Sequence, residues 1–229
     1  MDAALDNLMV EWDAQTERQK ADLVERVRTL VDDGDLAGLA DLATSSDAAA
    51  LLLADAMTEL AHWAADQAAQ ENGGQPVEPE DGMLAEVAIV TAAALAAELA
   101  VSASRAALQA IGTGQAPAQV ADRVSEYLAE LSDAGARRQL GGNLHGAVNA
   151  ARLATFEAGP VGSLYAHELN DRNTCVPCSQ VDGRFLGTTE QIETVWLSYP
   201  EGAYGGYVLC QGGPACRGTV FGIWREGAA

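Results

Sequence analysis

The sequence predicts a mainly α-helical protein, in which an elongated acidic helical body is followed by a small α+β module that holds every cysteine. Three observations lead to this fold class. Apolar residues recur with a helical period over most of the first 158 residues. The formal net charge of the 229 residues is -20. After Gly159, alanine becomes rarer, and glycine, aromatic residues and cysteine take its place. We therefore divide the chain into a helical body, residues 1–158, and a C-terminal module, residues 159–229.

The first segment of the body is predicted to be an amphipathic helix, broken at most once, that ends near residue 32. Its first apolar residues have the spacing i, i+3, i+4, i+7, and they are Leu5, Leu8, Met9 and Trp12. The same spacing returns between residues 23 and 31. Gly34 suits the left-handed position that commonly ends a helix, and its acidic neighbours suit the start of another. A short helix from Leu36 to about Ala43 is therefore expected to follow.

The second long helix is predicted to run from a serine cap to about Glu71. Ser45 or Ser46 can cap it, because a serine hydroxyl accepts a hydrogen bond from the first turn of a helix. One face of the helix is apolar at Leu53, Met57, Leu60 and Ala64. Glycine and proline then make residues 72–82 a loop.

The third long helix, from Met83 to about Ile111, consists almost entirely of residues with high helix propensity. It contains the most apolar run of the chain, residues 87–97, which is flanked by glutamates. This run is shorter than the roughly 20 apolar residues that a membrane span requires. We therefore expect a buried core helix and no membrane partner.

Two more helices complete the body. Pro117 suits the first turn of one, whose apolar stripe is Val120, Val124, Tyr127, Leu128 and Leu131. The last helix has its own stripe at Leu140, Leu144, Val148 and Ala151. A second face of this helix is formed by His145, Asn149, Arg152 and Phe156, and leads directly into the C-terminal module. We expect its polar groups to dock that module.

The C-terminal module is predicted to contain short strands at residues 206–209 and 218–224, where aromatic and β-branched residues alternate with glycine. Its four cysteines form two pairs: Cys175 and Cys178 are separated by two residues, Cys210 and Cys216 by five. Two close pairs that a fold brings together are typical of a tetrahedral zinc site with sulfur about 2.3 Å from the ion. We expect a closed structural Zn²⁺ site of zinc-ribbon type, since about 60 residues bury too little apolar surface to fold without such support.

Other roles for the cysteines remain open. The four residues could form two disulfides in an oxidising compartment, or bind iron in place of zinc. A redox pair at Cys175 and Cys178 would need an apolar strand before it and a helix after it, and the sequence suggests neither. His167 could replace one cysteine ligand. A zinc deaminase needs the patterns H-x-E and P-C-x-x-C, but here His167 and Glu168 are adjacent, and the proline lies inside the cysteine pair.

The charge distribution restricts the classes of partner. Clustered basic residues, which binding to nucleic-acid phosphates requires, are missing, so we expect no specific nucleic-acid partner. The acidic residues belong mainly to the body and are expected to confer solubility, with a basic protein face as the functional alternative. Residues 1–13 carry four acidic groups and lack the basic, apolar pattern of a signal peptide, which predicts a cytoplasmic chain.

The run Asp171-Arg-Asn-Thr-Cys-Val-Pro-Cys-Ser-Gln-Val-Asp-Gly183 resembles the signature of the phage Mu protein F-like family of head-morphogenesis proteins. The downstream Pro214-Ala-Cys216-Arg217-Gly-Thr219 is similar to the tail of that signature, and the helix segment 142–152 is similar to the polar helix of the family. The resemblance covers about residues 140–226. The chain departs from the pattern where Gly213 and Gly218 replace a histidine and a second cysteine, while Cys210 is added.

This resemblance implies a minor capsid protein that binds the portal vertex in several copies on a ring and assists head assembly, DNA packaging or DNA ejection. Its partner would be the portal protein, with the major capsid or scaffold protein as a further candidate. The protein would lie in the host cytoplasm during assembly and in the virion head afterwards. We expect no catalytic residues, because the three histidines are scattered and no nucleophile is accompanied by a base. The alternative is a metal-dependent or thiol-redox enzyme, with Glu168, Asp171 or Asp182 as its carboxylate.

Overall fold

The computed structural model describes residues 2–79, 82–189, 207, 209–212 and 217–224. The protein is mainly helical, with 66% helix, and the described residues form six helices and a three-stranded sheet. The helices are α1 Asp2–Asp32, α2 Asp47–Asn72, α3 Met83–Gly112, α4 Pro117–Ala129, α5 Ala134–Ala158 and α6 Val176–Val181. The strands are β1 Val161–His167, β2 Phe185–Gly187 and β3 Thr219–Trp224. The predicted mainly α fold class is confirmed.

The chain forms two compact units that do not follow chain order. One consists of Met1–Leu5, Ala54–Val87 and Arg137–Ala229, and the other of Asp6–Leu53 and Ala88–Ala136. The predicted division between residues 158 and 159 coincides with the change from helix to strand. As a boundary between two domains it stays a prediction.

The unit that contains most of α1 has its own apolar core. Buried leucines and valines from α1, α4 and the turns after α1 pack there against alanines of α3; the fully buried members include Leu23, Val27, Leu39, Ala103 and Val120. The small alanines let the helices approach closely, and this explains why an alanine-rich sequence can form a dense core. The part of the predicted α1 stripe between residues 23 and 31 and the stripe predicted for α4 contribute to this core.

The predicted short helix between Leu36 and Ala43 is wrong, because residues 36–41 form successive turns. The backbone bonds account for the difference: the N–H groups of Ala40 and Asp41 donate to the carbonyls of Ala37 and Gly38, three residues back, at 3.0 and 3.2 Å, so the segment closes as tight turns. The Asp35 carboxylate accepts a hydrogen bond of 3.0 Å from the backbone N–H of Gly38, as a helix cap does, but no α-helix follows it. The helix α1 before these turns is continuous, and α2 begins after Ser45, whose hydroxyl accepts a bond from the N–H of Asp47 as expected of a cap.

The expectation of a buried core helix at residues 87–97 is only half right. In α3, Ala88, Ala92 and Ala96 are buried, while Ile89 and Val90 on the opposite face are more than half exposed. Only 28% of the most apolar 18-residue window is buried. By length and composition, α3 also meets the criteria for a membrane span, with a mean hydropathy of 2.0. The prediction that no span is present considered only the shorter run, residues 87–97.

The unit that contains Arg137–Ala229 carries the sheet, whose strand order is β2-β1-β3 with antiparallel pairing throughout. The central strand β1 was not predicted. In β3, Gly222 faces Leu164, and a Cβ at Gly222 would lie 2.8 Å from a methyl carbon of Val161, so only glycine fits there. Of the strand predicted at residues 206–209, positions 206 and 208 lie outside the described residues, and Tyr207 and Leu209 are not in a strand.

Candidate metal centre

Three of the four cysteines meet at one point beside the sheet. Cys175 immediately precedes α6, Cys178 lies within that helix, and Cys210 lies in a turn closed by its own N–H bond to the carbonyl of Tyr207. Their three Sγ atoms lie within 4.8 Å of one another. The fourth predicted ligand, Cys216, lies outside the described residues. The fold therefore joins Cys210 to the Cys175–Cys178 pair, as the metal-site hypothesis requires.

The spacing of the sulfur atoms suits a tetrahedral metal site. The Sγ atoms of Cys175 and Cys210 are 3.8 Å apart. Sulfur ligands 2.3 Å from a tetrahedral zinc ion are separated by about 3.8 Å, whereas a disulfide holds its sulfur atoms at about 2.05 Å. No disulfide joins any two of the three described cysteines. The donor set therefore fits a thiolate-binding metal such as zinc.

Backbone N–H groups point at two of the thiols. The N–H of Gln211 donates to Cys175 Sγ at 3.4 Å, and the N–H of Gly212 donates to Cys210 Sγ at 3.3 Å. Burial raises the pKa of the Cys175 thiol, but hydrogen bonds from the backbone of Cys178 and Gln211 outweigh it, so the pKa is lowered. Donors of this kind stabilise the thiolate, which is the form that binds a metal.

The thiols rest on the apolar core of the module. Cys178 is 3% exposed and packs with Leu164, Val181 and Leu186, while Cys175 and Cys210 pack against the same cluster from outside. Because these side chains come from β1, β2 and α6, a metal held by the thiols would tie together segments far apart in sequence. This is the arrangement expected of a structural site.

A buried carboxyl group lies beside the cluster. Glu168 is 4% exposed, its side chain contacts the thiol of Cys178, and its Oε1 has no hydrogen-bond partner among the described residues. Burial and the neighbouring Asp182 carboxylate raise the pKa of Glu168 to about 7, while the bond to Cys178 acts in the opposite direction. Sequence reasoning named Glu168 only as one of three candidate carboxylates. Glu168 directly follows β1, and it contacts the Cys178 thiol because the end of β1 lies beside α6.

The loop before Cys175 is held by Asp171. One of its carboxylate oxygens accepts bonds from the N–H of Asn173 at 2.8 Å and from the guanidinium of Arg217 at 2.7 Å. The bond from Arg217 holds the pKa of Asp171 at about 2. Because Arg217 lies next to Cys216 in the chain, this ion pair joins the segments that carry the first and last cysteines.

The polar face of α5 docks the sheet, as predicted. His145 Nε2 and Asn149 Nδ2 both donate to the carbonyl oxygen of Gly218, at 2.6 and 2.9 Å. The hydroxyl of Thr219 donates to Asn149 Oδ1 at 2.8 Å, and Asn149 is fully buried. These three bonds hold the start of β3 against α5.

Arg152 continues this contact by one turn of the helix. Its Nε donates to the carbonyl of Val220 at 2.9 Å, and its two terminal nitrogens bind the Glu71 carboxylate, the shorter bond being 2.6 Å. Its guanidinium also lies 5.2 Å from the ring centre of Phe156. A planar guanidinium is suited to make all these contacts simultaneously, which an ammonium group cannot do.

Two histidines near the module differ in role. Burial lowers the pKa of His145, and the positive charge of Arg217 lowers it further, while the bond to Gly218 partly opposes this shift. His145 is therefore a neutral structural donor. His167, the alternative ligand, lies outside the group of metal-binding side chains found among the described residues; its ring contacts Phe221 edge-on, and its Nδ1 lies 3.6 Å from Asp182.

One argument against a redox pair at Cys175 and Cys178 was wrong, because a helix, α6, does follow Cys175. The preceding strand is displaced from the pair by residues 168–174. The proximity of Cys210, which a simple two-cysteine redox site would not require, favours metal binding.

Comparison of the chain with protein-family models, with curated protein sequences and with solved structures gives no match. The function is therefore inferred from the sequence motifs and from the geometry of this site.

Proposed function

We propose that the chain is a non-catalytic minor head protein of a bacteriophage, similar to the phage Mu protein F-like family, that binds the portal vertex and assists head assembly or DNA packaging and ejection. The observation that supports the proposal is the convergence of the residues that carry the family resemblance. Asp171 pairs with Arg217, and Asn149 bonds to Thr219, although each pair is separated by 46 or more residues in sequence. The motif thus corresponds to one interconnected structure.

The metal in this proposal is a structural Zn²⁺ held by Cys175, Cys178, Cys210 and Cys216. Four thiolates would close the coordination sphere, so the ion would supply folding energy and would not activate water. Iron bound by the same four residues is the alternative metal. The docking bonds from α5 would then hold a preformed module in a fixed orientation on its helix.

The direct test of the head-protein proposal is the composition of virus particles. Purified particles of the phage that encodes the chain would be analysed by quantitative mass spectrometry, alongside particles assembled without portal protein. We expect several copies per particle in the first preparation and a loss of most copies in the second. A chain that is missing from particles, or that enters them equally well without portal protein, would contradict the proposal.

A second candidate function, a metal-dependent enzyme, is favoured by one observation. Glu168 places a buried carboxyl group with a pKa of about 7 against the thiol of Cys178. General acid–base catalysis works best with a group whose pKa lies near the working pH. If Cys216 is not a ligand, three thiolates would leave one coordination position for a substrate or water, with Glu168 nearby.

Cobalt substitution distinguishes the two candidates. Co²⁺ bound by four thiolates gives a different visible spectrum from Co²⁺ bound by three thiolates and one oxygen ligand. The head-protein proposal predicts the first spectrum, a change in that spectrum for Cys216→Ser, and no change for Glu168→Gln. An unaltered spectrum for Cys216→Ser would favour the enzyme.

A further inference from the structure

A half-open groove of about 500 Å³ lies in the unit formed by Asp6–Leu53 and Ala88–Ala136, separate from the cysteine cluster. It is lined by side chains of α1, α3 and the segment between α4 and α5. Its lining includes four large apolar side chains, those of Trp12, Leu95, Leu99 and Leu131. A volume of this size falls within the range typical of binding sites, which is about 300 to 1,000 Å³.

The walls of the groove carry four carboxylates and one amine. The acidic residues are Asp13, Glu17, Glu98 and Asp133, and the amine is Lys20. Lys20 is paired with Glu17 at 2.8 Å. Within the part of the chain that the structure describes, no side chain or backbone group donates a hydrogen bond to the carboxylates of Asp13, Glu98 or Asp133. The lining of the groove therefore combines large apolar side chains with an excess of negative charge.

Lys20 shows which chemistry the groove accommodates. It is the only lysine of the chain, and its side chain is 16% exposed although its ammonium group reaches the carboxylate of Glu17. Most of this side chain, which lines the groove, is therefore covered by neighbouring parts of the protein, while its charged end meets an acid. Lysine and arginine side chains commonly bury their stems on apolar surface in this way.

We propose that this groove binds a basic, amphipathic segment of a partner protein. Lysine or arginine stems of the segment would lie on Trp12 and the leucines, and their charged ends would pair with the three carboxylates that lack a donor. The charge of the whole chain, -20, favours such a partner and repels both nucleic acid and a second copy of the chain. This inference depends neither on the metal centre nor on the head-protein proposal.

The test uses three synthetic helical peptides and the full chain. The first peptide has leucine at the heptad core positions and arginine on the flanks, the second has glutamate in place of arginine, and the third has serine in place of leucine. Affinities are measured by calorimetry at two salt concentrations, with spermine as a small cation for comparison. We expect the first peptide to bind at least about tenfold more tightly than the others and than spermine, and more weakly at high salt.

Two triple variants with the same change of net charge locate the site. Asp13→Asn, Glu98→Gln and Asp133→Asn neutralise the groove, and Asp55→Asn, Glu59→Gln and Asp66→Asn neutralise an exposed face of α2. All six residues are exposed, so both variants should fold, which circular dichroism verifies. The groove variant should weaken binding about tenfold and the α2 variant less than twofold. Equal weakening by both variants, equal binding of the serine peptide, or no binding of the first peptide would overturn the proposal.

Discussion

Replacing Asn149 by alanine tests how α5 holds the cysteine module. The Asn149 side chain is fully buried, donates to the carbonyl of Gly218 at 2.9 Å and accepts from the hydroxyl of Thr219 at 2.8 Å. The substitution removes both bonds. Gly218 keeps its bond to His145, so the main loss falls on the Thr219 hydroxyl, which is left without its acceptor.

The expected cost follows from these contacts. A buried polar group that loses its partner destabilises the native state by about 1–3 kcal/mol, and the half-buried Thr219 hydroxyl, which water can reach, belongs at the lower end of this range. The cavity left by the amide group adds about 1 kcal/mol. We therefore expect Asn149→Ala to lower the free energy of unfolding by about 2–3 kcal/mol, a large share of the 5–15 kcal/mol of an ordinary domain.

The assay is a double-mutant cycle of Asn149→Ala and Thr219→Val, measured by urea unfolding. Because these residues bond to each other, their effects should be non-additive by about 1 kcal/mol. Hydrogen exchange adds a local readout: amides of β3 should exchange faster in the variant, whereas those of α4, in the other compact unit, should not. Asn7→Ala, at an exposed site on α1, is the control and should change stability by less than about 0.5 kcal/mol.

Additive effects in the cycle, or a loss of stability no larger than that of Asn7→Ala, would refute the proposed docking. Faster exchange in α4 with unchanged exchange in β3 would do the same, because it would place the effect of Asn149 in the wrong unit.

Three further substitutions have defined outcomes. The pKa of His145 is lower in the folded protein than its usual 6.5, so its contribution to stability is complete above pH 6.5 and is lost below it. Between pH 7.5 and pH 5.5 the free energy of unfolding of the wild type should fall by up to about 1.4 kcal/mol relative to that of His145→Gln, and the opposite contribution of Glu168, whose pKa is raised to about 7, cancels in this difference. Gly222→Ala should cost about 1–3 kcal/mol in thermal unfolding, because its Cβ would clash with Val161, and Val161→Ala should relieve part of that cost. Arg152→Lys should lower the free energy of unfolding in urea by about 1–3 kcal/mol, since lysine cannot bind the Glu71 carboxylate through two nitrogens. If Glu71→Gln lowers it by the same amount, the bond to Glu71 accounts for the whole effect.

The helices were largely predictable because their signals are local. Spaced apolar residues, a serine before α2 and Pro117 at the start of α4 all act within one or two turns of the chain. The segment 36–41 was misread because its local signals also fit successive turns, which are closed by backbone hydrogen bonds to the carbonyl three residues back. Strand β1 was missed because its stability comes from β2 and β3, whose paired residues lie up to 63 residues away, as for Val161 and Trp224.

The candidate site was predictable in composition but not in geometry. Spacing identified Cys175, Cys178 and Cys210 as candidate ligands, and the helical period placed Asn149 and Arg152 on one face. The position of Glu168 was not predictable, because its burial depends on how β1 and α6 meet. Selecting it from the three acidic candidates required the fold.

The central claim is that the cysteines form a closed metal centre, and metal content combined with thiol titration tests it most directly. Protein purified without metal-affinity chromatography would be analysed by elemental mass spectrometry, and its thiols titrated before and after chelation. We predict one equivalent of zinc and four thiols that react only after the chelator removes the metal. Four thiols that react fully in the native, metal-free protein would contradict the claim, and so would a protein with neither metal nor free thiols, which would instead contain two disulfides.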